Sequence, residues 1–199
     1  MADTATRWRT SAVEPTRPYP APEQRRGDWM LTATGRQYWP LDPHPADVCL
    51  TDIAASLAKQ CRFAGHVRTH YSVAEHSVLV SQVVPREHAL QALMHDATEA
   101  YCVDIPRPLK RGLGSVYADI EELNWLAICE HFNIESQMHP CVKRADDAVL
   151  MAERDALCAQ SGPKWSVDAE PADVVINGFD WPLAQFMFLR RFRELTRAV

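Results

Sequence analysis

Between Ala89 and Asp104 the chain carries His95, Asp96, Glu99 and Asp104, and not one lysine or arginine. An imidazole and three carboxylates this close together can hold a divalent cation or move protons. Carboxylates packed without a cationic side chain also call for a metal ion to neutralise them. Two further groups offer the same chemistry. His76 stands in Tyr71-Ser72-Val73-Ala74-Glu75-His76-Ser77, on the helical face shared by Val73, Val80 and Val83. In Arg144-Ala145-Asp146-Asp147, Asp146 falls nearer the Val142/Val149 stripe and Asp147 points away from it. Singly, each has an ordinary explanation: a histidine on an apolar face is usually core, and an aspartate at a stripe edge usually meets water. Together, His76, His95, Asp96 and Asp146 offer two imidazoles and two carboxylates. That mixed N/O shell suits one divalent ion, Mn, Co, Fe, Ni or Zn, with Mg also admissible.

The elements that must position these residues follow from hydrophobic period and from breakers. Apolar residues at helical spacing predict helices over about Asp52–Gln60 behind a Thr51 cap, Ser72–Val84 stopped by Pro85, and His88–Val103. Three more follow over about Ser115–Phe132, Cys141–Ala159 and Leu183–Thr196. On the 88–103 helix, Leu90, Leu93, Met94, Ala97 and Tyr101 form one stripe. His95, Asp96 and Glu99 share the opposite side with small alanines, so both sides are expected to pack. Trp29–Leu41 reads as a short hairpin around Thr34-Gly35. Residues 1–27, with Pro15, Pro18, Pro20 and Pro22 among charges, read as a flexible arm, and 28–199 as one domain. Phe179, Trp181, Phe186, Phe188 and Phe192 are expected in the core. Everything after Thr51 reads helical, without βαβ alternation or a repeat. The fold class is all-α, a helical bundle with a short N-terminal β-hairpin.

Charge and motifs narrow the function. Lys and Arg total 21 against 26 Asp and Glu, a net charge of −5, which does not invite a nucleic-acid polymer. There is no G-x-x-x-x-G-K-[ST], no G-x-G-x-x-G and no G-x-S-x-G. No apolar run approaches the ~18 residues of a membrane span, and Met1–Thr10 has no apolar signal core. The six cysteines are scattered without a C-x-x-C pair, as reduced thiols would be. A cytoplasmic protein with no membrane partner is expected, a homodimer being left open. His131 and His139 fall between the His95-Asp96 pair and Asp146 without an evident second ligand pair, so a single metal is expected.

Cations for an anionic ligand are present too. Arg62 lies in an otherwise apolar stretch and suits a bidentate phosphate grip. Pro106-Arg107-Pro108-Leu109-Lys110-Arg111 adds three more charges, with Lys110 expected at the ligand and Arg107 and Arg111 facing water. His66 and His70 cluster near the same region.

His76, His95-Asp96 and Asp146, in that order on three helices, resemble the HD-domain metal-dependent phosphohydrolases. The likeness spans roughly Thr51 to Asp155. Cys61-Arg62-Phe63-Ala64-Gly65-His66, then Tyr71–Ser77, then His95-Asp96-Ala97-Thr98-Glu99-Ala100 running into Asp104-Ile105-Pro106-Arg107-Pro108-Leu109-Lys110, are similar to one branch of it. That branch holds the bacterial 5′-deoxynucleotidases and the phage deoxynucleotide triphosphohydrolases. The resemblance implies an HD-type bundle whose metal is held by His76, His95, Asp96 and Asp146. It implies Arg62 on phosphate, Glu99 assisting the attacking water or leaving group, and Asp104 beside the sugar. His66 and Lys110 are expected to bind substrate. The branch has tryptophan where this chain has Phe63, so an aromatic wall is kept while sugar and base preference stay open. The implied activity is hydrolysis of 2′-deoxynucleoside mono- or triphosphates. The alternatives are an HD-type phosphodiesterase for cyclic or alarmone nucleotides, a di-iron oxygenase on the same bundle, and a non-catalytic metal-binding helical domain.

Overall fold

The computed structural model describes residues 19–159 and 165–197. In chain order it comprises β1 (Met30–Leu31), β2 (Gln37–Tyr38), α1 (Leu50–Lys59), α2 (Val73–Val83), α3 (Ala89–Met94), α4 (Glu99–Cys102), α5 (Arg107–Gly112), α6 (Ser115–Phe132), α7 (Pro140–Leu157) and α8 (Trp181–Thr196). The all-α class with a minor hairpin is thus what the chain forms. β1 and β2 are antiparallel, with Met30 opposite Tyr38 and Leu31 opposite Gln37. Gly35 turns between them at φ +80°, a conformation that costs a side-chain-bearing residue more.

α2 is the central element. Ser72 starts it by accepting the Glu75 N–H on its Oγ at 3.1 Å. Every residue from Val73 to Ser81 is buried, polar ones included, as expected of a helix surrounded on all sides. It packs against α1, α3, α7 and α8. Ile53, Leu57, Val73, Leu93, Ile128 and Phe188 anchor one core cluster, and Tyr71, Val80, Val142 and Val149 a second.

Four expectations are corrected. The 88–103 helix is not continuous: α3 stops at Met94 and α4 resumes at Glu99. Between them Ala97, Glu99 and Ala100 donate to the carbonyls three residues back, so the winding tightens to a 3₁₀ pattern. His95 causes part of this, since its Nδ1 contacts the Ala92 carbonyl at 2.8 Å. α1 opens at Leu50 with Cys49 at its cap, not Thr51. Its Asp52 instead accepts the Thr34 N–H and hydroxyl at 2.6 and 2.8 Å, tying the hairpin turn to the bundle. Residues 165–180 form no helix. They run along α2, where the buried Glu75 carboxylate accepts the N–H groups of Asn177, Gly178 and Phe179. Finally, Phe188 and Phe192 are core, but Trp181 and Phe186 are exposed, because α8 turns only one face inward.

Of the expected arm, residues 1–18 lie outside the described residues. Over 19–27 the chain is held down: Arg25 is buried and pairs with Asp42 and Asp47 at 3.0 Å. Among the described residues no helix is long and apolar enough to cross a membrane, and the six cysteines form no disulfide.

Candidate metal centre

Three helices converge on one point. α2 brings His76, fully buried; the tightened turn after α3 brings His95 and Asp96; α7 brings Asp146. His76 Nε2 faces Asp146 Oδ1 at 3.3 Å and Asp96 Oδ2 at 3.5 Å, and His95 Nε2 faces Asp96 Oδ1 at 3.2 Å. Ligand atoms of His76, His95 and Asp146 all lie within 4.8 Å of one another, a grouping able to hold a metal ion.

The nitrogens themselves argue for an ion. His76 Nδ1 is 2.5 Å from Glu153 Oε1, and His95 Nδ1 is 2.8 Å from the Ala92 carbonyl. Both partners only accept, which assigns a ring hydrogen to each Nδ1 and leaves each Nε2 as the nitrogen open to a cation. Both Nε2 atoms are buried without a hydrogen bond. Two buried nitrogens without hydrogen bonds, set beside two carboxylates, are satisfied together by one cation. The residues present therefore fit a divalent metal.

A second layer holds this set in place. Glu153, fully buried one heptad after Asp146 on α7, accepts from Tyr71 Oη at 2.8 Å and from Arg62 Nε at 3.1 Å besides touching His76. Arg62 Nη1 also reaches Asp96 Oδ2 at 3.5 Å. Burial raises the Glu153 carboxyl, but Arg62 and His76 outweigh it and hold it below its ordinary range. Asp96 and Asp146 are likewise held low against burial, Asp96 by His95, His76 and Arg62, and Asp146 by His76, His95 and Arg62. Burial and the Arg62 charge push His76 down, yet Glu153 and Asp146 carry it up to about 9. Without an ion this cage therefore attracts a proton, and metal and proton compete for the same nitrogen.

Above the cage opens a pocket of about 930 Å³ lined by Arg62, Phe63, Asp96, Glu99, Asp104, Lys110 and Asp146, among others. Glu99 Oε2 is buried and unpartnered. Burial, then the charges of Asp96 and Asp104, push its carboxyl well above the usual range. Burial also raises Asp104, whose N–H is fixed by Gln60 Oε1 at 3.1 Å. Phe63 and Ala64 adopt left-handed backbone conformations at φ 56° and 52°, strained for side-chain-bearing residues. Arg62 and Phe63 both line the pocket, where Phe63 meets Trp165 at 5.9 Å between ring centroids.

Of the ten residues singled out for chemistry, the structure brings together His76, His95, Asp96, Asp146, Glu99, Asp104, Arg62, Phe63 and Lys110. His66 is the exception: it caps an exposed turn after Phe63 and does not line the pocket. Lys110 is engaged by Glu121 at 2.6 Å. Arg107, expected in water, instead reaches Asp146 at 3.0 Å and Asp147 at 3.2 Å across the pocket mouth, and Lys143 joins the same two carboxylates. Glu153, Tyr71, Lys143 and Trp165 were not foreseen. The i, i+7 spacing of Asp146 and Glu153 puts both on one face of α7 and is the signal that points to Glu153.

No family model matches the chain. It is 44% identical over 173 residues to the uncharacterized protein YfdR of Escherichia coli K12, covering 84% of this chain and 96% of YfdR. It is 33% identical over 126 residues to the uncharacterized protein RCAP_rcc00048 of Rhodobacter capsulatus, covering 59% of this chain and 64% of that protein.

Proposed function

The chain belongs to the family of the Escherichia coli protein YfdR, and from the site this member carries we propose that it is a metal-dependent phosphohydrolase acting on nucleotides, foremost 2′-deoxynucleoside mono- or triphosphates. One observation carries the reading. Two buried imidazole Nε2 atoms without hydrogen bonds face two ionised carboxylates, at the floor of a pocket whose walls hold Arg62, Arg107, Lys110 and Lys143. Acids at the floor match a cation, and bases on the walls match an anion above it.

His76, His95, Asp96 and Asp146 would hold one divalent ion, which when bound acidifies water and polarises a phosphoryl oxygen. The protein's own groups do the rest. Glu99, whose environment favours its protonated form, is placed to donate that proton to the leaving oxygen. Arg62 is buried, fixed by Glu153 and positioned to receive phosphoryl oxygens as charge spreads over them. Arg107 and Lys143 spend their charge on Asp146 and Asp147 until an anion arrives. Phe63 and Trp165 supply an apolar wall for base or sugar, and Asp104 an acceptor for a sugar hydroxyl. Losing that hydroxyl leaves the carboxylate unpaired, which favours nucleotides over simple esters.

The test is a metal-supplemented comparison of deoxynucleotides, ribonucleotides and p-nitrophenyl phosphate, with released phosphate, pyrophosphate or triphosphate identified. Deoxynucleotides are expected to give the highest kcat/KM, with Asp104→Ala shrinking their advantage. Equal efficiency on all three sinks the nucleotide assignment, and no phosphorus product with any metal sinks the hydrolase.

A further inference from the structure

We propose that His88, His139 and Cys141 form a second metal site, of the zinc class, distinct from the pocket centre. The three residues offer ligand atoms that all lie within 4.8 Å of one another. Cys141 Sγ is 3.0 Å from His139 Nδ1, and the His88 ring lies against the His139 ring at 3.8 Å, nearly parallel at 10°. His88 closes the turn before α3, His139 caps α7, and Cys141 stands in the first turn of α7. Each histidine precedes a pocket ligand by seven residues, His88 before His95 and His139 before Asp146. The juxtaposition of α3 and α7 that assembles the pocket centre therefore assembles this cluster as well.

The cluster is held together from outside itself. Gln91 on α3 is buried and donates to the carbonyls of Glu135 and Gln137 at 2.7 and 3.0 Å, while its Oε1 accepts the His139 N–H at 2.9 Å. This clamp fixes the chain entering α7 against α3 and brings His139 to His88 before any ligand arrives. Cys141 and His88 are partly buried and His139 is exposed, so an ion can enter from solvent.

The donor set decides the ion. One sulfur and two imidazole nitrogens, with no carboxylate in the group, suit zinc and disfavour magnesium, calcium or manganese. Three protein ligands leave a fourth tetrahedral position for water or an exogenous ligand. Binding exchanges a proton for the metal: the Cys141 S–H bond is lost, an S–Zn bond forms, and the proton leaves to solvent. Tetrahedral zinc sets S and N about 3.6 Å apart, so the exposed His139 ring must swing outward slightly. Doing so opens the stack on His88 and gives up a long 3.3 Å contact from the Cys141 N–H, small losses beside three metal bonds.

Cobalt(II) is the probe, because only a thiolate ligand adds a strong sulfur-to-cobalt charge-transfer absorption in the near ultraviolet. Full-length metal-free protein titrated with cobalt(II) is expected to develop that absorption and to lose it when zinc(II) is added. Cys141→Ser is expected to abolish it and His139→Ala to weaken it strongly, while Asp146→Ala, which disables only the pocket centre, keeps it. His139 is exposed, so its replacement is a second, independent variant, and far-ultraviolet circular dichroism of both verifies folding. Absence of the absorption in wild type, or its persistence in Cys141→Ser, overturns the site. Neither result depends on whether the protein hydrolyses nucleotides.

Discussion

Glu153 and Asp146, one heptad apart on α7, grip opposite nitrogens of one ring: Glu153 Oε1 lies 2.5 Å from His76 Nδ1, and Asp146 Oδ1 lies 3.3 Å from Nε2. The first contact places a hydrogen on Nδ1 and turns Nε2 toward Asp146, where a cation would be held. A single helix therefore carries both a proposed metal ligand and the residue that orients the ring of another.

Glu153→Gln should accordingly weaken divalent-metal binding by about 10- to 100-fold without altering any proposed ligand. The amide oxygen can still accept the Nδ1–H but carries no charge. Titration of metal-free protein with manganese or cobalt, alongside far-ultraviolet circular dichroism to verify folding, checks this. Unchanged affinity in a folded variant would show that Glu153 serves Arg62 and Tyr71 alone.

The paired aspartates should separate cleanly. Asp146 faces His76 Nε2, whereas Asp147 contacts only Arg107 and Lys143 among the described residues. Asp146→Ala should lose the pocket metal and turnover together, while Asp147→Ala keeps its metal. Metal stoichiometry by elemental analysis decides: Asp146→Ala should hold one equivalent fewer than wild type and Asp147→Ala the same, and the reverse pattern would refute the assignment of helix faces.

That pair also shows what was legible beforehand. Asp146 was distinguishable from Asp147 because a regular helix carries its period into the structure, and α7 is regular. The His95–Glu99 stretch was legible in residue type but not in shape. A wheel assumes bonds to the fourth residue back, and here the bonds run to the third, with the His95 side chain occupying the Ala92 carbonyl. Arg107 was misplaced because an isolated Pro-Arg-Pro reads as solvated. Its partners lie 39 and 40 residues away on another helix, a relation no local pattern encodes. Residues 165–180 were missed for a similar reason, their backbone being bound by the distant Glu75 carboxylate.

Glu99 should trade stability for catalysis, with a defined pH dependence. In metal-free protein, burial and the carboxylates of Asp96 and Asp104 raise its folded value above the unfolded one. A raised carboxyl contributes stability that is complete below the unfolded value of about 4.3 and lost as pH rises through the folded value. Glu99→Gln removes that loss. Its Tm should match wild type near pH 4 and exceed it progressively at higher pH, by about 2–4 °C per kcal/mol relieved. Turnover of the metal-loaded variant should fall by about 10²–10⁴-fold, the range for a group that transfers a proton. Thermal melts across pH on metal-free protein and steady-state kinetics on loaded protein check the two halves separately. Wild-type turnover with metal verified removes Glu99 from the mechanism.

Arg107 provides the sharpest test of the anion site. Its guanidinium is over one-third exposed, with a side-chain accessibility of 42%, so its bonds to Asp146 and Asp147 add little to stability. Its place at the pocket mouth instead puts five donors where a phosphate enters. A charge-assisted hydrogen bond to phosphate is worth about 1.5–3 kcal/mol. Arg107→Ala should therefore raise KM for nucleotides, and the Ki of inorganic phosphate as a competitive inhibitor, by about 10- to 100-fold. Arg107→Lys should recover only part of that, because an ammonium cannot reproduce the two-pronged grip. The Tm of the unliganded protein should move little, while the Tm gained on adding phosphate should shrink in Arg107→Ala. Undiminished phosphate protection in that variant would leave Arg107 as a surface ion pair and pass the anion to Arg62 and Lys143.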